Sequence, residues 1–229
     1  MKRTLVFDTG PIITFALNNL IWVLPKLSEI YHGEFYIPAA VRRELIDQPL
    51  STHKYKLEAL QLMPLLNEGI LKVIPRSKTA KRKKELIKEI NHIYYARNHP
   101  IEIVHEGEVD AIACALEFES DGLVVDERNT RYLIETPNQL RRRLERKLHT
   151  KVTVDKAVLK DVRARLKPLR TIRTLELVTV GYELGIFDHY IDRSLPHPRR
   201  QLLEGLLWGV KLHGCSTTRD EIDEIMALE

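Results

Sequence analysis

Thr4-Leu5-Val6-Phe7-Asp8-Thr9-Gly10-Pro11 is the stretch from which the fold can be read. Its apolar run is too short for a helix and is stopped by a carboxylate and a turn, with Pro11 placed for the first turn of a helix. A buried strand that runs directly into a helix is the opening unit of an α/β fold. The pattern recurs further along. Glu34-Phe35-Tyr36-Ile37 reads as a second strand closed by Pro38, and the helix after it stacks Val41 and Leu45 one turn apart. Helical patterning over 54–68 leads to a third strand at Ile70-Leu71-Lys72-Val73-Ile74. Val109, Ile112, Ala113 and Leu116 then fall at i, i+3, i+4 and i+7, which predicts an amphipathic helix over Glu106 to Glu119. After the Asp121-Gly122 turn, Leu123-Val124-Val125 is a fully apolar fourth strand ending at Asp126. From Thr171 the chain becomes apolar and helical to its end. Strands alternating with helices predict a three-layer α/β/α sandwich around a central, mostly parallel sheet. No Gly/Ser linker divides the chain, so 1–229 reads as one domain, with insertions at 76–100 and 136–172.

Composition limits the functional classes. With 229 residues, 44% hydrophobic and 30% charged, the chain can bury a real core and is neither disordered nor collagen-like. Cys114 and Cys215 stand alone, with no zinc-binding spacing and no disulfide framework. The longest uncharged window, 9–25, is short for a membrane span, and Asp8 interrupts any leader-like run. A soluble cytoplasmic protein is expected. The net charge of +4 conceals a strong asymmetry. Residues 76–100 hold eight Lys/Arg against two acids, and residues 139–173 hold thirteen against three. Subtracting those surpluses of six and ten leaves −12 for the rest of the chain. An acidic body with basic arms suits a cation-dependent enzyme that acts on a polyanion. Arg141, Arg142, Arg143, Arg146 and Lys147 form the densest basic run.

Four acids recur in one context. Asp8 and Asp126 close apolar strands, and ligands of open parallel sheets gather outside those carboxyl ends. Asp110 reads as a first-turn acid of the helix before the Asp126 strand, with Glu108 two residues ahead of it. Glu44 lies within the helix after Pro38. The competing readings are ordinary ones: helix caps for Asp8 and Asp126, a dipole-facing acid for Asp110, and a solvated ion pair for Glu44 between Arg42 and Arg43. Gathered in one pocket, four carboxylates repel each other, and hard divalent cations such as Mg²⁺ or Mn²⁺ relieve that conflict. No phosphate-binding GxxxxGK, GxGxxG or GxSxG pattern is present.

These residues resemble a known family. LVFDTGPIITFAL, YIPAAVRREL, GEVDAIACALE and GLVVDERNTRYL, in that order, are similar to the PIN domain nucleases, and TLELVTVGYELGIF resembles the apolar terminal helix of a PIN subfamily. The resemblance implies that Asp8, Glu44, Asp110 and Asp126 bind Mg²⁺ or Mn²⁺ and carry catalysis. It further implies that Glu108 is an additional metal-binding acid, that Thr9 meets a phosphate or a water, and that Arg131 touches a phosphate. The implied activity is metal-dependent cleavage of single-stranded or structured RNA, as an endoribonuclease. Small PIN toxins of toxin–antitoxin pairs lack the two basic insertions. A toxin with an antitoxin partner and an RNA-processing enzyme are therefore both compatible readings. A different class is a non-catalytic PIN-like module that grips RNA or a protein through the basic arms. Self-association through the apolar C-terminal helices is a further expectation.

Overall fold

The computed structural model describes residues 3–228. Strand β1 (Arg3–Phe7) runs into α1 (Thr9–Leu17) and α2 (Val23–Tyr31), and β2 (Gly33–Pro38) into α3 (Ala39–Arg42). A π-helical turn, Arg43–Asp47, joins α3 to α4 (Gln48–Ser51), and α5 (Lys56–Asn67) returns to β3 (Leu71–Ile74). The first insertion folds as α6 (Ala80–Ile90), β4 (Tyr94–Ala96) and β5 (His99–Pro100). Next come α7 (Glu106–Glu117), β6 (Gly122–Val124), α8 (Arg128–Glu135), α9 (Pro137–Leu148), β7 (Val152–Val154) and α10 (Lys156–Leu166). Strand β8 (Thr171–Ile172) is followed by α11 (Thr174–Glu183), α12 (Pro198–Leu212) and α13 (Arg219–Met226).

The central sheet has the order β3-β2-β1-β6-β8, and every neighbouring pair is parallel. Period-two alternation sends Leu5, Phe7, Phe35, Ile37 and Val124 into one apolar layer with α1, α2, α5 and the terminal helices. Val6, Leu123 and Val125 point to the opposite layer, built from α6, α7, α9 and α10. This is the three-layer α/β/α sandwich that the strand–helix alternation predicts. Fully buried residues such as Val6, Phe7 and Val124 each contribute about 1.5–3 kcal/mol relative to exposure, so the centre of the sheet anchors the fold.

Two expectations change on contact with the structure. Helix α7 is buried nearly all round from Val109 to Ala115, rather than amphipathic. The reason is that the insertions cover its outer side. Leu86, Ile90, Tyr94, Leu140, Leu144, Val152, Val162 and Leu166 all join the same apolar layer as α7. The insertions are therefore not free arms. They also pair with each other, because β4 of the first binds β7 of the second, with Tyr94 opposite Val154 and Ala96 opposite Val152. The end of the second insertion belongs to the main sheet. Thr171 and Ile172 pair with Leu123 and Val124, and Ile172 packs so close to Gly122 that a Cβ there would lie 2.9 Å from its Cδ1.

Candidate active site

A cleft of about 580 Å³ opens beyond the carboxyl ends of the central strands. Asp8 enters it directly from the end of β1, where its amide bonds to Val124 O at 2.9 Å and locks the position to the neighbouring strand. The side chain makes no capping hydrogen bond of ordinary geometry to α1, although the first two amides of that helix, Thr9 and Gly10, still favour its charged form. Asp8 is only 6% exposed. Burial pushes its carboxyl up to about 7; the negative charges of Glu108 and Glu44 add to this, and the amides of Thr9 and Gly10 offset part of it.

Glu44 comes from the π-helical turn, a local widening found disproportionately at functional sites. It turns away from its arginine neighbours: Thr9 Oγ1 donates to Glu44 Oε2 at 2.7 Å, while Arg42 pairs with Asp47. Gly107 makes room for it, because a Cβ there would lie 3.2 Å from Glu44 Oε1. Glu108, the third residue of α7, faces the same cleft and accepts a hydrogen bond from the His105 amide. Burial raises its carboxyl, against the pull of that bond, and Glu127 and Glu44 raise it further. Asp126, two residues beyond β6, is the most firmly held. Its Oδ1 accepts from the Thr174 amide at 2.8 Å, and its Oδ2 from Thr174 Oγ1 at 2.7 Å and Thr14 Oγ1 at 3.1 Å.

Asp110 is elsewhere. It lies in the second turn of α7 rather than the first, two residues and therefore about 200° beyond Glu108. That rotation turns it under α6, where it is 2% exposed and Lys83 Nζ donates to Oδ2 at 3.3 Å. Five acids line the cleft: Glu127 is committed to capping α8, where it accepts from the Thr130 amide at 2.7 Å, which leaves Asp8, Glu44, Glu108 and Asp126 as the candidate set, with Glu108 and without Asp110.

The basic residues divide in the same way. Arg143 lines the cleft, and its Nε donates to Asn129 Oδ1 at 3.2 Å. Arg141 pairs with Glu145, whereas Arg142 and Arg146 face a separate surface depression with Lys151. Lys147 is exposed on the last turn of α9. Arg131 is 7% exposed, with a buried Nε that has no hydrogen-bond partner, and it stands away from the cleft. Arg128, at the first position of α8, reaches the cleft in its place. His105, Glu127, Arg128 and Ser216 are cleft residues that the sequence reading missed. For Glu127 and Arg128 the signal was direct adjacency to Asp126. Ser216 is ninety residues away, and its amide reaches Asp126 O at 3.3 Å.

Among the described residues, no three acidic, histidine or cysteine side chains already converge on one point. Three of the four acids are held by their own bonds: Glu44 by Thr9, Glu108 by the His105 amide, and Asp126 by Thr174 and Thr14. Like charges also keep the unneutralised carboxylates apart. No helix among the described residues is long and apolar enough to cross a membrane.

Comparison with known proteins agrees with this architecture. A family model described as a PIN domain matches residues 4–139, more than half of the chain, and the chain belongs to the PIN domain family. PIN domains are generally nucleases and typically use divalent metal ions. No curated protein matches the chain.

Proposed function

We propose that the protein is a divalent-cation-dependent endoribonuclease that hydrolyses RNA phosphodiester bonds in the Asp8/Glu44/Glu108/Asp126 cleft. The observation that supports this most is the convergence of four carboxylates from four separate elements on one cleft, one of them with its carboxyl pushed up to about 7. Buried Asp8 and Asp126 beside half-buried Glu44 and Glu108 repel one another, a cost that a bound cation would relieve. The donors fit the group the family uses, since carboxylate oxygens suit Mg²⁺ or Mn²⁺ and no thiolate intrudes. Bound among these acids, such an ion would supply electrostatic stabilisation of a phosphorane-like charge and lower the cost of deprotonating water.

The chain's own groups do the positioning. Thr174 and Thr14 fix the Asp126 carboxylate, so only Glu44 and Glu108, on longer side chains, need to adjust. Thr9 holds Glu44 at the mouth of α1 and is placed to release it toward a ligand. Arg128 and Arg143 bring positive charge to an otherwise acidic cleft, where a phosphodiester would need it.

A second reading, a non-catalytic binding module, draws on one observation: the acids are hydrogen-bonded within the protein rather than preassembled around a point. One experiment separates the two. Labelled single-stranded RNA is incubated with the protein in Mn²⁺, Mg²⁺ or EDTA, beside Asp8→Asn and Glu108→Gln. Metal-dependent cleavage lost in both variants supports the enzyme, full cleavage by a verified Asp8→Asn protein refutes this site, and metal-independent binding without product favours the module.

A further inference from the structure

The outer face of α10 carries a feature that the cleft does not use. Lys156, Lys160, Arg163 and Lys167 border a concave groove of about 590 Å³ with Ile134 and Leu159. At about 100° per residue these four cations fall within an arc of about 60°, and they extend along about 16 Å of helix axis. Asp161, the only acid within α10, points about 100° away from Lys160. The neighbouring acids are committed elsewhere. Asp155 caps α10 by accepting from the amides of Ala157 and Val158, and Glu145 pairs with Arg141. Arg165, on the other side of α10, is bound to Glu89 of α6. Among the described residues, none of the four groove cations has an ion-pair partner within 4.0 Å.

We propose that this groove is a docking track for the phosphate backbone of RNA, engaging the strand beyond the segment held in the cleft; the proposal rests on the reading of the cleft as an RNA-cleaving site. A row of unpaired, like-charged side chains on one helix face is self-repulsive and gains when phosphates lie along it. The partner is a polyanion rather than a protein, because the groove presents no aromatic side chain of the kind that anchors protein interfaces. Helix α8 contributes to both the cleft and the groove. That helix begins at Arg128 in the cleft wall and brings Ile134 to the groove floor six residues later, a rise of about 9 Å. On this proposal a strand leaving the cleft past Arg128 follows α8 to Lys160 and Arg163. The contacts are to backbone, so they lengthen the binding site without reading bases.

The test measures binding of a labelled oligouridylate in the Asp8→Asn background by fluorescence anisotropy over a range of NaCl concentrations. Lys156→Gln, Lys160→Gln, Arg163→Gln and Lys167→Gln are combined in one protein. A control carries the same change in charge at Lys26, Lys54, Lys56 and Arg193, all exposed elsewhere. At about 0.7 per phosphate contact for a single strand, the groove variant is expected to lose about 2–3 from the slope of log affinity against log salt, and the control less than about 1. Equal losses in both proteins, or an unchanged slope in the groove variant while the parent binds normally, overturn the docking track and leave the cleft reading intact. A parent that binds no RNA overturns both. An independent readout needs no variant: a photo-crosslinking 4-thiouridine RNA is expected to label peptides containing residues 156–167, and labelling confined to cleft peptides refutes the track.

Discussion

Replacing Asp8 with Asn should make the metal-free protein more stable while abolishing cleavage. The reasoning is one of linkage. The Asp8 carboxyl rises from an ordinary 3.8 to about 7 in the fold, so the native state holds its proton more tightly than the unfolded chain does. Stability tied to this group is fully present below pH 3.8, falls as the pH rises, and is lost by the time the pH passes about 7. At about 1.4 kcal/mol per tenfold difference in proton affinity, ionised Asp8 costs the fold up to about 4 kcal/mol at pH 8. Asn has nearly the same shape, carries no charge and removes the repulsion toward Glu44 and Glu108. The expected gain is about 2–4 kcal/mol at pH 8, or roughly 5–10 °C in Tm for a chain of this size. It should shrink toward zero near pH 4.

The assay is thermal and urea unfolding of both proteins in EDTA across pH 4 to 8, followed by repetition with Mn²⁺. Cation binding should stabilise the wild type by about 2.7 kcal/mol at a hundredfold excess over Kd, and Asp8→Asn by much less. An Asp8→Asn protein no more stable than wild type at pH 8 in EDTA would refute the claim that this carboxylate is held ionised against its environment.

Further expectations follow from the same contacts. Glu108→Gln should lower metal-dependent cleavage by about 100-fold or more, whereas Asp110→Asn should retain most of it; the reverse ranking would restore Asp110 to the site. Lys83→Met should cost about 3–5 kcal/mol in urea unfolding, because it leaves Asp110 buried and unpaired. Adding Asp110→Leu should recover most of that loss, and failure to do so would show that the pair is not what binds α6 to α7. Thr174→Val should cost about 1–3 kcal/mol and weaken Mn²⁺ binding, with Thr174→Ser restoring both. An unaltered metal titration in Thr174→Val would remove Thr174 from the support of Asp126.

The strand-terminal acids were legible because a carboxylate that stops an apolar run is conspicuous by itself. Asp8 and Asp126 are such cases, and Glu44 became so only in company with them. Glu108 and Asp110 show where that legibility ends. Two residues on a helix differ by about 200°, and nothing in GEVDAIACALE says which side is inward, because the helix is buried on nearly every side. The deciding contact is Lys83, from an insertion whose sequence displays charge but not direction. Gly107 was a usable signal, since a glycine beside an acid in a helix marks a close approach, here that of Glu44. The basic run of α9 divided for the same reason. Its composition announced a polyanion surface, but only Arg143 faces the cleft. Strands β4, β5 and β8, two or three residues long, are too short to show any alternation.

The family match ends at residue 139, yet the site does not. Asp126 depends on Thr174, β6 would have an open edge without β8, and Ser216 closes the cleft from the loop after α12. Helices α11 to α13 also place Leu175, Val178, Tyr182, Leu203, Leu207, Val210 and Ile222 in the apolar layer beneath β1 and β2. At about 1.5–3 kcal/mol for each buried side chain, their removal withdraws roughly 10–20 kcal/mol, at least as much as the whole stability of a typical domain. A fragment ending at residue 139 is therefore expected to show no cooperative unfolding transition by circular dichroism and no metal-dependent cleavage. A folded and active fragment would mean that Asp126 finds other partners and that the terminal helices are accessory. If it fails to fold, the terminal segment must be counted as part of the nuclease-type unit, because Thr174, beyond the matched region, gives the carboxylate closing β6 two of its hydrogen bonds and leaves only the one from Thr14 within it.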